Sequence, residues 1–206
     1  MKVYAEFGFL ENRDYIHSTS WLYKLLDILI EKKYICSDSE INKINAVFRS
    51  KKNRQGYYLI DEESQNGDIV FHIYTNSKKI KVYYIEDGAK VETHIPYNED
   101  MMVNDGIINR DYTSASIEVS CINNIYNLIV SLNKKLLLNL LPKDGYSSWS
   151  VGKFSINWKV LHSNAEGNIL QTKLVNNIDN LYCQSSIFIS GHLAGSIDFA
   201  RKKAAV

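Results

Sequence analysis

Apolar and polar positions along this chain follow two rhythms, and the order of those rhythms is written twice. From Lys2 to Phe9, Val3, Ala5 and Phe7 alternate loosely with Tyr4, Glu6 and Gly8, the two-residue period of a strand. A polar run from Glu11 to Ser20 follows. Between Trp21 and Lys33 the polar positions Lys24, Asp27 and Glu31 then fall three and four apart. That spacing puts them on one narrow stripe of a helix and leaves the remaining faces apolar, so the helix is expected to be covered on most of its circumference. Thr19 or Ser20 supplies a cap, and Lys32 and Lys33 suit the negative end of the helix dipole.

Residues 37–48 read two ways: Ser37 with Glu40 resembles a capping box before a short helix, whereas Ile44–Phe48 equally begins a strand. Strands are predicted at 57–60, 68–74 and 81–85, with turns at Asn53–Gly56, Asn66-Gly67 and Asn76-Ser77. Residues 86–110 lack a period. Part of them, Lys90–Ile95, reads as an edge strand and the rest as a connection. The second half predicts a strand at 112–119 and a helix at 122–141, stopped by Pro142-Lys143-Asp144-Gly145. In that helix Asn124, Asn127, Ser131 and Lys134 or Lys135 trace the expected wet stripe. Strands at 153–161, 168–175, 181–190 and 194–200 complete it, separated by Asn164–Gly167, Asn176-Asn177 and Gly191-His192. Leu25, Leu29, Ile125, Ile129 and Leu132 are expected to be inaccessible; Lys24, Asp27, Asn124, Asn127 and Ser131 are expected to face water.

The fold class is therefore α+β, with β-α-β-β-β-β repeated in units of about 100 residues, a length at which each can hold its own core. The boundaries drawn are 1–95 for the first unit, 96–110 for a connection and 111–206 for the second. Asn12-Arg13-Asp14-Tyr15 recurs as Asn109-Arg110-Asp111-Tyr112, but the first copy precedes a helix and the second a strand, so the duplication rests on element order. One mostly covered helix per unit needs a sheet that curls around it. The arrangement resembles the hot-dog family, in which a curved antiparallel sheet wraps a central helix; two tandem units resemble a double hot dog, which packs like the usual dimer. A pair of ferredoxin-like units also begins β-α-β-β, but each then needs a second helix where 69–74 and 182–190 read as strands.

Charge changes the picture by exclusion. The chain has 206 residues with a net charge of +1, and its basic clusters are short (Arg49–Arg54, Lys78–Lys81, Arg201–Lys203), so a nucleic-acid partner is not expected. The early residues lack the long apolar core of a signal peptide. The apolar stretch Ile122–Leu141 is too interrupted by Asn, Ser and Lys to span a membrane. Three widely spaced cysteines, Cys36, Cys121 and Cys183, are expected to stay reduced, and the default address is cytoplasmic. Cys183, in a strand, reads as a small buried hydrophobe.

The densest ionisable group near a helix start is Arg13, Asp14 and His17, with Glu11 beside them. Backbone N–H groups at such an end favour developing negative charge. The hot-dog resemblance implies an acyl thioester as substrate, hydrolysed or dehydrated, with His17 or Asp14 as general base and the helix end holding the thioester carbonyl. Asp27 and Glu31 share a stripe with Lys24 and read as solvated. The second helix has no acid or histidine, and aligning the tetrapeptides puts Ser114 where His17 stands. A single site in the first half is therefore expected. His17-Ser18-Thr19 superficially matches the His-x-Thr of two-histidine phosphoesterases, but no second copy occurs at His72, His94, His162 or His192. HExxH, CxxC, GxGxxG, Walker and Gly-x-Ser-x-Gly patterns are absent, so no metal or cofactor is expected. Ser147–Ser150 and Gly191–Gly195 read as turns. The competing class is a non-enzymatic interaction protein of inhibitor or immunity type, docking through the acidic, tyrosine-bearing stretch Glu92–Asp105.

Overall fold

Alternation along residues 41–90 closes into an antiparallel sheet because every second side chain is apolar and turned to one face. The computed structural model describes residues 1–62, 64, 67–111, 113–141, 148–164 (Asn164 by its backbone), 167–179 and 181–201. Met1–Tyr97 form one compact unit and Asn98–Val206 a second. In the first, β1 (Lys2–Ala5), β3 (Ile41–Phe48), β4 (Arg54–Ile60), β5 (Ile69–Thr75) and β6 (Lys79–Lys90) lie in the order β1-β4-β6-β5-β3. Two short strands, β2 (Phe9–Leu10) and β7 (His94–Ile95), pair in parallel. The helix α1 (Ser18–Glu31) lies on the inner face. Tyr58 donates its hydroxyl hydrogen to the Trp21 carbonyl at 2.6 Å, and the Trp21 ring stacks on Phe48 with centroids 5.7 Å apart.

The ambiguity at residues 37–48 resolves as both elements in miniature. A single 3₁₀ turn, Asp38–Glu40, leads directly into β3. Glu40 turns back to accept the Cys36 N–H at 3.1 Å, while Ile44, Ala46 and Phe48 keep a two-residue period into the core. The predicted strand at 90–95 is split: β6 runs on to Lys90, and only His94–Ile95 pair again. Leu25 and Leu29 are fully buried and Asp27 is exposed, as the stripe predicts, whereas Lys24, expected to face water, is half-buried.

The second unit contains α2 (Glu99–Met102), β8 (Ile107–Ile108), β9 (Ser114–Glu118), α3 (Ile125–Leu140) and β10 (Trp149–Ile156). It continues with α4 (Trp158–Asn164), β11 (Ile169–Ile178), β12 (Tyr182–Ile189) and β13 (His192–Arg201). Its sheet runs β10-β13-β12-β11-β9-β8. Ile125, Ile129 and Leu132 of α3 are buried as expected.

Several expectations fail here, among them the predicted turn at Asn176-Asn177, which lies inside β11. The wet stripe on α3 is wet only at Asn124: Asn127 is half-buried, and Ser131, Asn133 and Lys134 are buried. Asn133 and Lys134 tolerate burial because they find partners. Asn133 donates to the Ile129 carbonyl at 2.8 Å and accepts from Thr172 at 2.5 Å, and Lys134 meets Glu99. The predicted strand at 153–161 is instead the end of β10 followed by α4. Asn157 Oδ1 accepts the Val160 N–H at 3.0 Å, an Asn cap that starts a helical turn, and Trp158 and Leu161 then share its buried side. Trp149 is the buried first residue of β10 and His192 the first of β13, so neither predicted turn extends through them. The stop at Pro142–Gly145 lies outside the described residues, as do Asn66, Ser147, Ala165, Glu166, Lys202 and Lys203 from the other predicted turns and basic clusters.

Candidate functional site

The chain enters α1 through a pinned segment. Ile16, fully buried, donates its N–H to the Lys52 carbonyl at 2.8 Å, which fixes the residue that follows. That residue, His17, has extended backbone and is the N-cap of α1, its carbonyl accepting from Trp21 at 3.3 Å. Its ring is 2% exposed, and Nδ1 stands 2.8 Å from Thr19 Oγ1 in the first turn. The N–H groups of Ser18, Thr19 and Ser20 open the helix, where intrahelical acceptors do not exist. Ser18 Oγ is buried with no hydrogen-bond partner among the described residues.

Arg13 comes to the same place from the preceding loop. It is 3% exposed, donates to the Leu10 carbonyl at 3.1 Å and lies 3.8 Å from the Glu11 carboxylate. Its guanidinium carbon stands 5.7 Å from the centre of the Tyr97 ring, and the His17 ring centre is 6.1 Å from the same ring. The structure thus gathers Arg13 and His17 around Tyr97, a residue the sequence did not single out. Asp14 is not part of the group. It is exposed, and no hydrogen bond or ion pair holds it among the described residues.

The second unit buries its ions elsewhere. Lys134, midway along α3 and 0% exposed, donates to Glu99 Oε1 at 3.1 Å and Oε2 at 3.4 Å. Glu99, 2% exposed, opens α2, whose cap is Asn98 accepting the Met101 N–H at 3.1 Å. Lys135 holds the same segment from its other end, donating to the carbonyls of Val103 at 2.7 Å, Asn104 at 3.2 Å and Gly106 at 3.1 Å. The stretch Glu92–Asp105 is therefore not the continuous acidic surface expected: its central carboxylate is turned into the unit. The cap sequence Asn98-Glu99-Asp100, ahead of a run without period, was the available signal. At the start of α3 an open cleft of about 760 Å³ is lined by Met102, Ile107, Glu118, Cys121, Asn124 and Leu128 among others, and by no histidine.

Other candidates weaken. Cys183 is 1% exposed, and burial pushes its thiol up to about 11, which removes a thiolate nucleophile at neutral pH. Among the described residues no group of three His, Cys, Asp or Glu is placed to hold a metal ion. No described helix is long and apolar enough to cross a membrane.

No protein-family model matches the chain, and no curated protein matches it by sequence. Solved structures do match. The tesB protein of Mycobacterium avium subs paratuberculosis aligns with a TM-score of 0.53 and 6% identity, over 98% of this chain and 93% of that one. The pyran synthase domain from module nine of the sorangicin pathway aligns with a TM-score of 0.50 and 10% identity, over 99% of this chain and 94% of that one. At these identities the likeness is one of fold.

Proposed function

We propose, on the premise that this chain carries two tandem hot-dog-like units, that it is an enzyme acting on acyl thioesters, with one site at the start of α1. The observation that carries this reading is His17, set at the N-terminal end of the first central helix with its Nδ1 engaged by Thr19. With Nδ1 as the N–H donor to Thr19 Oγ1, the proton-accepting nitrogen in this reading is Nε2. In hydrolysis Nε2 takes a proton from water as the water oxygen bonds to the thioester carbonyl carbon. The carbonyl oxygen gathers negative charge beside the opening N–H groups of α1, and on collapse the C–S bond breaks and the proton passes to the departing sulfur. In dehydration of a β-hydroxyacyl thioester the same nitrogen removes the proton α to the carbonyl, the Cα–Cβ double bond forms as the Cβ–O bond breaks, and that proton passes to the departing hydroxyl, which leaves as water. Arg13 acts by positioning, bracing Tyr97 beside the imidazole, and Tyr97 is the side chain a substrate displaces to reach it. The likeness to a tesB protein and a pyran synthase domain supports the fold half of the reading, and the burial of His17 supports the site half.

A panel of short, long and aromatic acyl thioesters, on coenzyme A and on a carrier protein, assayed for free thiol and for loss of water, tests it. His17→Ala should lower turnover by about 10²-fold or more, the usual worth of a positioned base. Asp14→Ala should change it little. No turnover and no binding across the panel removes the enzyme reading.

A further inference from the structure

The outer face of the first sheet carries a groove separate from the His17 group. Ala46 and Phe48 of β3, Phe71 and Ile73 of β5, and Ile80, Val82 and Tyr84 of β6 turn inward; Val47, Val70, His72, Lys79, Lys81 and Tyr83 therefore turn outward. Register sets His72 directly across from Lys81, and Val70 across from Tyr83. Just beyond β3, Arg49 donates to the Gly67 carbonyl at 3.1 Å. Gly67 itself lies so close over the Tyr83 ring that a Cβ there would stand 2.1 Å from Cδ1. The loop backbone thereby walls in a groove of about 610 Å³, and Tyr83, though turned outward, is only 6% exposed.

Arg49, His72, Lys79 and Lys81 all line this groove, and among its described lining residues there is no carboxylate. Among the described residues of the adjoining loop, Asp61, Glu62 and Asp68 are engaged. Asp68 is held by Lys52 at 2.6 Å, and Asp61 accepts the backbone N–H of Lys81 at 3.1 Å. Lys43, the remaining outward cation of β3, stands opposite Tyr74, and Lys79 and Lys81 lie 5.5 and 4.9 Å from the Tyr74 and Tyr83 ring centres. In a chain with a net charge of +1 this concentration is local, with no continuing basic stripe for a polymer.

We propose that this groove binds a small organic molecule carrying two or more phosphoryl groups. An Arg fork and two lysine point charges are the donor set that phosphate oxygens fit, and the volume falls in the range of small-molecule sites. His72 reports the field: partial burial, then Lys79 and Lys81, hold its imidazole below the ordinary histidine value. A bound anion cancels the second cause, so occupancy should raise it. The proposal stands apart from the reading of His17.

The test follows the His72 ring resonances against pH, with calorimetry alongside, at about 0.05 M ionic strength so that screening is modest. Pyrophosphate and adenosine 3′,5′-bisphosphate are the small probes, and a single-stranded oligonucleotide is the polymer control. Both small probes should raise the His72 midpoint. Lys79→Ala with Lys81→Ala should weaken them by about tenfold, two exposed charge contacts at a few-fold each, with an unchanged circular dichroism spectrum. Tighter binding of the adenosine compound supports a nucleotide-bearing ligand, and equal binding supports recognition of phosphate alone. An unmoved His72 midpoint at about 2 mM of either probe, where a specific site is largely filled, overturns the proposal. So does wild-type affinity in the double variant, or a response to the oligonucleotide without one to pyrophosphate.

Discussion

The starts of the two central helices have been put to opposite uses. At α1 the chain closes over its ionisable residues: His17 and Arg13 are 2% and 3% exposed, and Thr19 fixes the imidazole. At α3 the corresponding end opens onto a cleft with no histidine among its described lining residues, and the buried pair Lys134 and Glu99 meets midway along the helix, apart from the buried Asp198 of β13, which Lys153 holds. A repeated architecture thus fixes where the helix and sheet go, but not where charge is buried. Charge goes where a neighbouring segment can satisfy it, and in the second unit the segment that opens with α2 does so for Lys134 and Lys135 of α3.

The sharpest way to break this comparison is to remove one member of the α3 pair. Lys134→Ala leaves Glu99 buried without its ammonium, and chemical denaturation should show a loss of about 3–5 kcal/mol. Replacing both, Lys134→Met with Glu99→Leu, should restore most of it, since a buried pair exchanged for apolar groups is often neutral or better. A double variant no more stable than the single one would mean that the pair has a role beyond mutual neutralisation.

Next in size come the helix cores that the two units share. Leu25→Ala and Ile129→Ala should each cost about 2–5 kcal/mol, because both sites are at most 1% exposed and leave cavities. Losses under about 1 kcal/mol at both, far below that range, would show that the helix faces are misassigned.

These faces also show what was legible in the sequence. Lys24, Asp27 and Glu31 interrupt α1 in one stripe, and the stripe is wet or half-wet, since it is charged and no described segment holds it by an ion pair to the sheet. The equivalent stripe on α3, from Asn127 through Ser131 to Lys134, also steps by three and four, yet it is half-buried at Asn127 and buried at Ser131 and Lys134. Periodicity reports which residues share a face, not whether a distant segment covers it. The covering segment, Glu99–Gly106, has no period of its own and read as a connection. The α4 turn was hidden for a related reason: Phe154, Ile156, Trp158 and Leu161 keep an apolar rhythm across Asn157, and only the side-chain cap marks the change from strand to helix. In the site, His17 and Arg13 were legible as residues near a helix start, but Tyr97, which joins them, is brought in only by the return of the chain through β7.

The smallest expected effect is electrostatic and confined to the first unit. Lys52 holds the Asp68 carboxyl below its ordinary value of 3.8, first through a hydrogen bond and then through its charge. A carboxyl depressed in the folded state contributes stability that is present above its unfolded value and is lost as pH falls through the folded one. Asp68→Asn should therefore cost less than about 1 kcal/mol at neutral pH, as for exposed pairs, and that deficit should begin to shrink as pH falls past the unfolded carboxylate value of about 3.9 and be gone once pH lies below the lowered folded value. A deficit that persists in acid would assign the effect to packing.

The most direct test of the account sets the two units against each other in one assay. Thioester turnover should be measured for His17→Gln and for Ser114→Ala, the position in β9 that matches His17 when the repeated tetrapeptides are aligned. The account predicts that His17→Gln loses about 10²-fold or more in kcat, a general base removed, while Ser114→Ala keeps the parent rate. Equal rates in the parent and His17→Gln, or a loss confined to Ser114→Ala, would contradict it.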